Sequence, residues 1–177
     1  MARPHRVPSA SRAQVLATLV ALGLGLACGA PAPEAIEDIV VRVSGVAVDR
    51  TGSPVVILEE QDGERALPIW IGVAEARSIA SEIERLHPPR PNAHDLAKRL
   101  IESLDGAIER VVVTELRDGT YYARILVSAH GQRREVDARP SDAIALALRF
   151  DAPLLVREAL FDDASREPGA PAEERAL

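Results

Sequence analysis

The chain has 177 residues and a hydrophobic fraction of 47%, which is enough for one packed domain and excludes a wholly disordered protein. Aromatic residues make up only 3%, so the core must consist of Val, Ile, Leu and Ala, which favours a sheet covered by helices over an aromatic stacking platform. The net charge is -6, and the first 27 residues hold three arginines and no acids, so the remainder carries 18 basic and 27 acidic side chains, or -9; this excludes nonspecific nucleic-acid binding through a basic surface and leaves only a local basic groove.

The N-terminal residues predict an export signal. Three arginines precede an uncharged apolar run at residues 13–27, which is too short to span a membrane but suits the core of a signal peptide. Cys28, the single cysteine of the chain, closes this run and excludes both an intrachain disulfide and a cysteine zinc cluster. Residues 1–28 are therefore predicted to be a signal peptide, and residues 29–35 (GAPAPEA) a Pro/Ala linker.

The residues before Cys28 resemble a lipobox, although Gly25 stands where an aliphatic residue is usual. We therefore expect Cys28 to be lipidated and the protein to be exported and anchored to the membrane, facing the periplasm or the cell exterior. Two alternatives stay open: cleavage of the signal without lipidation, and a buried first helix with a chance cysteine.

In chain order, the first half of residues 36–163 predicts strands and then helices. Valine-rich alternation predicts a first strand, Ile39–Asp49. Turns at residues 50–53 and 61–64 then delimit a second and a third strand, Pro54–Glu60 and Ala66–Ile71. Apolar residues at helical spacing predict a first helix, Gly72–Leu86. After a proline-rich link, Asn92 and Asp95 predict the start of a second helix that runs to Leu104, with Gly106 as its stop.

The second half predicts the same order of elements. Three strands, joined by glycine-containing turns, are predicted at Ile108–Leu116, Tyr121–Ser128 and Arg133–Ala138. Pro140 predicts the start of a third helix, Pro140–Phe150, followed by a short strand, Pro153–Val156. The composition of residues 164–177 predicts a disordered tail. Two hairpin groups, each followed by helix, predict a single α+β domain with a mixed, mostly antiparallel sheet and three main helices.

Three stretches carry recognisable motifs: Leu67–Gly72 (LPIWIG) with Glu75-Ala76, Pro89–Pro91 with His94–Leu96, and Asp137–Ala147 (DARPSDAIALA). Together with the Asp118-Gly119 hairpin, they are similar to the bifunctional nuclease domain family of the DUF151 type. The resemblance covers about Ile39 to Phe161. It implies hydrolysis of phosphodiester bonds, with both DNA and RNA as partners.

Phosphodiester cleavage needs a group that activates water, positive charge for the phosphate and often a divalent metal. The motif residues predicted to be catalytic are Glu75, His94, Asp137, Arg139 and Asp142. The guanidinium groups predicted to bind phosphate are those of Arg90 and Arg139. The carboxylates predicted to hold Mg²⁺ or Mn²⁺ are those of Glu75, Asp137 and Asp142.

Each of these residues also has a purely structural interpretation. Glu75, Asp95 and Asp142 stand at helix starts, where a carboxylate interacts favourably with the helix dipole. Arg139 can form an ordinary ion pair with Asp137 or Glu75, and His94 can simply be a surface residue.

Two functions follow from these alternatives. The intact motifs favour a nuclease, whereas the net charge favours a non-catalytic binding module of the same fold that holds an anionic partner at the cell envelope. The sequence has no P-loop, HExxH, GxSxG or CxxC motif, which excludes several common enzyme classes. A homo-oligomer is also predicted, because short apolar strands such as Val40–Val43 can pair at a sheet edge.

Overall fold

The computed structural model describes residues 37–86 and 88–164. The predictions for residues 1–36, including the signal peptide, the lipidation of Cys28 and the linker, lie outside the described residues, as does the predicted tail beyond Ala164. In the described ranges, no helix is long and apolar enough to span a membrane.

The fold is α+β, as predicted, with one mixed sheet of seven strands. The strands are β1 Asp38–Val48, β2 Pro54–Glu60, β3 Ala66–Trp70, β4 Gly106–Arg117, β5 Thr120–Ala129, β6 Gln132–Ala138 and β7 Leu154–Arg157. Their order in the sheet is β3-β2-β1-β7-β4-β5-β6, and the β4–β7 pair is parallel while the other pairs are antiparallel. The helices are α1 Val73–Ile83, α2 Ala93–Ser103, α3 Pro140–Phe150 and a short α4 Ala159–Ala164, which was not predicted.

The sheet consists of two three-stranded meanders on either side of β7. Each meander ends in an edge strand that leads directly into a helix: β3 into α1, and β6 into α3. α1 packs on β1 and β2, whereas α3 packs on β4 and β5. The starts of α1 and α3 therefore meet at one end of the fold, and this positions the site described below.

The core between the sheet and the helices is almost wholly aliphatic, as the composition requires. Its fully buried side chains include Leu58 and Val56 from β2, Ile79 from α1, Val111 from β4 and Ile144 from α3. Burial of each such side chain contributes about 1.5–3 kcal/mol relative to its exposure to water. The core thereby fixes the two edge strands and the helix starts that follow them.

Two polar side chains of α2 face α3, whereas both leucines of α2 and its C-cap Leu104 are exposed. Asp95 and Lys98 contact Arg149 of α3. In contrast, Leu96, Leu100 and Leu104, spaced four residues apart, are 52%, 55% and 63% exposed. An exposed apolar stripe of this kind is typical of a surface that associates with a partner.

Some predicted boundaries were wrong. α1 ends at Ile83 and not at Leu86, because Arg85 adopts a left-handed conformation (φ 54°). Leu86 N–H then donates to the Ser81 carbonyl at 2.8 Å, which closes the helix in a Schellman motif.

The stop of α2 is Asp105 (φ 53°), and the predicted stop Gly106 instead begins β4. A residue without a Cβ is favoured at position 106, because a Cβ there would lie 3.0 Å from the Ile101 carbonyl oxygen. The interpretation of Val40–Val43 as an edge was also wrong: β1 lies between β2 and β7, and the edges are β3 and β6.

Candidate functional site

A cleft of about 550 Å³ lies where the starts of α1 and α3 meet the tip of the β4–β5 hairpin. Its lining comes from the ends of β2 and β3, from Gly72 and Val73 at the start of α1, and from Arg139, Pro140 and Ser141 at the start of α3. The hairpin contributes Gly119, which follows Asp118 in a two-residue turn where both residues have positive φ. Among the described residues that line the cleft, Arg139 is the only cation.

The helices α1 and α3 place an acid at the same position, the third residue after the N-cap. The N-cap of α1 is Gly72 and its acid is Glu75; the N-cap of α3 is Arg139 and its acid is Asp142. The Arg139 guanidinium bridges the two carboxylates. Its Nη2 donates to Glu75 Oε1 at 2.6 Å and to Asp142 Oδ1 at 3.0 Å, and its Nε donates to Asp142 Oδ2 at 2.8 Å.

Both carboxylates are ionised near neutral pH. Hydrogen bonds from its own backbone N–H and from Arg139 hold the pKa of Glu75 below its ordinary value. Burial raises the pKa of Asp142, but hydrogen bonds from Arg139 and His94 outweigh this effect, so the pKa lies below the ordinary value. Asp142 and Glu75 in turn raise the pKa of Arg139. The Arg139 side chain is still 66% exposed, and in the described part of the chain its Nη1 has no hydrogen-bond acceptor.

His94 holds Asp142 from the side of α2. Its Nε2 lies 3.1 Å from Asp142 Oδ1, and its Nδ1 lies 2.9 Å from Ser78 Oγ. Arg149 Nη2 donates to the same Ser78 oxygen at 3.0 Å, so the serine proton is free to donate to His94. A proton on Nε2 lets the ring donate to Asp142 while Nδ1 accepts from Ser78. In this geometry both ring nitrogens of His94 are engaged with Ser78 and Asp142 inside the network.

Arg149 is the buried end of the hydrogen-bond network that includes Ser78, His94 and Asp142. Its side chain is 3% exposed, and its Nε donates to Asp95 Oδ1 at 2.7 Å while Nη1 donates to the Ala145 carbonyl at 2.9 Å. Asp95 is the predicted partner of Asn92 in the capping box of α2, and this prediction is confirmed. The network therefore connects α1, α2 and α3 from the interior to the cleft.

The structure brings together four of the predicted site residues: Glu75, His94, Arg139 and Asp142. It does not bring Asp137 to them. Asp137 lies exposed on β6 opposite Arg124, outside the cleft lining. Arg90 also lies outside the cleft, exposed in the link before α2.

The predicted metal ligands do not fit a divalent cation in this arrangement. Mg²⁺ and Mn²⁺ need several free carboxylate or carbonyl oxygens. Here both Asp142 oxygens and Glu75 Oε1 accept from the Arg139 guanidinium, which stands between the two side chains. Among the described residues, no three His, Cys, Asp or Glu side chains are grouped so that they could hold a metal ion.

Two features of the site were not predicted. The first is the Ser78–Arg149 pair, which reads in the sequence as ordinary helix positions. The second is Trp70, which lines the cleft and donates from Nε1 to Asp49 Oδ2 at 3.0 Å. The available signal for Trp70 was its position in the LPIWIG motif, two residues before Gly72, the N-cap of α1.

Comparison with known proteins shows which sequences this chain is similar to. A family model described as "Bifunctional nuclease domain" matches residues 56–168. The chain is 42% identical over 125 residues to an uncharacterized protein of Mycobacterium tuberculosis, which covers 70% of this chain and 74% of that protein.

More distant similarity extends to plant proteins. The chain is 29% identical over 105 residues to "Bifunctional nuclease 1" of Oryza sativa subsp. japonica, covering 57% of this chain and 32% of that protein. It is 27% identical over 123 residues to "Bifunctional nuclease 1" of Arabidopsis thaliana, covering 67% and 38%. The match thus spans about a third of the length of these two plant proteins.

Proposed function

The chain belongs to the bifunctional nuclease domain family, and on that premise we propose that it hydrolyses phosphodiester bonds in DNA and RNA. The observation that carries the proposal is Arg139, which lines the cleft in a fixed orientation with Nη1 directed to no described acceptor. A guanidinium whose Nε and Nη2 are held by carboxylates can still donate from Nη1 to a phosphate oxygen in a charge-assisted hydrogen bond. Because the side chain is already oriented, it loses little conformational entropy when the phosphate binds.

In this proposal the residues of the network have distinct roles. Arg139 binds the phosphate and stabilises the negative charge that develops on it in the transition state. Glu75 and Asp142 orient the guanidinium. His94 orients Asp142.

The test is a nuclease assay of the purified protein on single-stranded DNA, duplex DNA and RNA, each with Mg²⁺, with Mn²⁺ and with EDTA. We expect cleavage of both kinds of nucleic acid. The EDTA arm tests the predicted requirement for a divalent metal. Arg139→Ala, purified identically, controls for contaminating nucleases, and Arg134→Ala, at an exposed position of β6, controls for loss of a surface arginine. Equal cleavage by the wild-type protein and Arg139→Ala would contradict the proposal.

One observation favours the second candidate function, a non-catalytic module that holds an anionic partner. The charge of Arg139 is matched by two ionised carboxylates, and none of the described cleft residues is an acid or a histidine that could activate water. Binding of labelled oligonucleotide at Arg139 without cleavage under any of the metal conditions would support this module over the nuclease.

We also propose that the protein is exported and anchored to the membrane through a lipid on Cys28. The support is the order of a positive start, an apolar run, a cysteine and a Pro/Ala linker. Cys28→Ser should release the protein from the membrane fraction or leave it unprocessed. Unchanged fractionation and migration of this variant would contradict lipidation.

The predicted homo-oligomer remains part of the proposal, with α2 as its contact surface. Leu96 and Leu104 lie equally far on either side of Leu100, so an antiparallel copy of α2 would set Leu100 against itself and Leu96 against Leu104. Sedimentation should show a dimer that Leu100→Glu converts to a folded monomer; a wild-type monomer at high concentration would contradict it.

A further inference from the structure

Trp70 is the single tryptophan of the chain, and it is 44% exposed in a concave site. It ends β3 and lines the same cleft as Arg139. Its polar edge is occupied, because Nε1 donates to Asp49. The exposed surface therefore belongs to the apolar part of the indole. A large aromatic side chain exposed inside a cleft is expected where it contacts a ligand.

The indole is hydrogen-bonded to Asp49, whose carboxylate also accepts hydrogen bonds within the turn that follows it. Asp49 Oδ1 accepts from Thr51 N at 2.8 Å, from Thr51 Oγ1 at 2.7 Å and from Ser53 N at 2.9 Å, while Oδ2 accepts from Trp70. An aromatic ring fixed in this way loses little conformational entropy when a ligand covers it.

The charge at the cleft limits how much contacts with phosphate can contribute to the affinity for nucleic acid. Arg139 is the one cation among the described lining residues, and Glu75 and Asp142 already pair with it. The chain without its first 27 residues has 18 basic and 27 acidic side chains. A nucleic acid bound here must therefore obtain most of its affinity from contacts other than ion pairs, and base–aromatic stacking is the contact that proteins use for this purpose.

We propose that Trp70 stacks on an unpaired base while the phosphate of that nucleotide lies at Arg139, so that the site is specific for single-stranded nucleic acid. The inference rests on the proposed function, since it names the substrate class of the same cleft. In a duplex, both faces of each base are covered by its neighbours, and Trp70 could reach a face only after the base had been flipped out. Single-stranded DNA or RNA offers that face directly.

The experiment measures binding in EDTA, with gel analysis to verify that the oligonucleotide stays intact. Anisotropy of a fluorescein-labelled oligothymidylate of about ten nucleotides gives the affinity of every variant. Emission of the single tryptophan reports its environment directly. We expect saturable quenching by the single strand, much weaker binding of the duplex of equal length, and a slope of log K against log salt of about -0.7, as for one phosphate contact.

Two variants separate stacking from folding. Trp70→Leu keeps an apolar side chain but removes the aromatic face, and it should weaken single-strand binding roughly 5- to 140-fold. Trp70→Phe keeps a smaller aromatic face and loses the five-membered ring with the N–H donated to Asp49, so its affinity should lie between that of wild type and that of Trp70→Leu. Leu86→Ala, an exposed apolar position outside both the cleft lining and the α2 surface, is the matched control and should bind as the wild type does. Thermal melts establish that each variant is folded.

The outcomes of binding and cleavage are read separately. Saturable quenching, together with loss of affinity in folded Trp70→Leu, supports the stacking site whether or not the nucleic acid is cleaved. If this result is obtained without cleavage, only the proposed nuclease function is contradicted. Cleavage with no quenching, and with the same KM in Trp70→Leu as in wild type, overturns the stacking site and leaves the nuclease function intact. Equal affinity for duplex and single strand, or no binding at all, also overturns it.

Discussion

Arg139 and Arg149 stand at opposite ends of α3, and each donates to a carboxylate at the third position of another helix. Arg149 is 3% exposed and makes hydrogen bonds with Asp95, Ser78 and the Ala145 carbonyl. Arg139 is 66% exposed, lines a cleft and leaves Nη1 without a described acceptor. Both arginines connect helices through hydrogen bonds, but of the two only Arg139 presents donors without a described acceptor at the surface of a cleft.

The difference shows how the same ion-pair chemistry can support either the fold or a site. Burial of a guanidinium costs a large desolvation free energy, which its buried partners offset. Removal of those partners, or of the guanidinium itself, leaves unpaired polar groups in the interior. A guanidinium at the surface gains little net stability from its partners. Its carboxylates instead determine where it points. The comparison predicts that substitutions at Arg149 change stability, whereas substitutions at Arg139 change binding and activity.

The largest expected effect is at Arg149. Arg149→Leu should lower the free energy of unfolding by about 3–5 kcal/mol, because it leaves Asp95 and Ser78 without their buried donor. The measurement is a urea or thermal melt. The control is Arg134→Leu on the exposed face of β6, which should change stability by less than about 0.5 kcal/mol. Similar melts for both variants would show that the interior network adds nothing to stability.

A smaller effect is expected at His94, between the two arginines. A positioning role needs only the Nε2–H that faces Asp142, and Gln can supply an amide N–H in a similar place. His94→Gln should therefore keep activity within about tenfold of wild type. A role in proton transfer predicts a loss of about 10²- to 10⁴-fold for the same variant. Rates in steady state, compared with those of His94→Ala, discriminate between the two roles.

A still smaller effect concerns pH. The pKa values of Glu75 and Asp142 are depressed in the folded protein, so the unfolded chain binds more protons than the folded chain in acid. These two groups stabilise the fold above their unfolded pKa values of about 4, and the stability is lost as pH falls towards the lower folded values. Between about pH 4 and pH 2, melting temperatures should fall more steeply for wild type than for Arg139→Gln. Parallel curves would show that Arg139 does not set the ionisation of these carboxylates.

Much of this arrangement could be predicted from local sequence signals. Pro140 predicted the first residue of α3, and Asn92 with Asp95 predicted the capping box of α2. The apolar run between two turns predicted β2 with its bounds. These features depend on neighbouring residues in the chain. The aliphatic core followed in the same way from the shortage of aromatic residues.

The rest depended on contacts between distant parts of the chain. Arg139 and Glu75 are 64 positions apart, and Arg149 and Ser78 are 71 apart, so no local pattern predicts either contact. The ends of α1 and α2 were missed because Arg85 and Asp105, which are not glycines, adopt the left-handed conformation. Asp137 was grouped with Asp142 because they are close in sequence. The strand places it opposite Arg124 and not in the cleft.

The most direct test of the central claim is Arg139→Lys, measured for activity and for stability on the same preparation. Lysine keeps the charge but cannot hold Glu75, Asp142 and a phosphate with one planar group. We predict a loss of activity of about 100-fold, with a melting temperature within a few degrees of wild type. Single-strand binding should fall by a smaller factor, because stacking supplies most of the affinity. A large fall in melting temperature, with the specific activity of the folded fraction retained, would contradict the claim and show that Arg139 holds the fold and not the substrate.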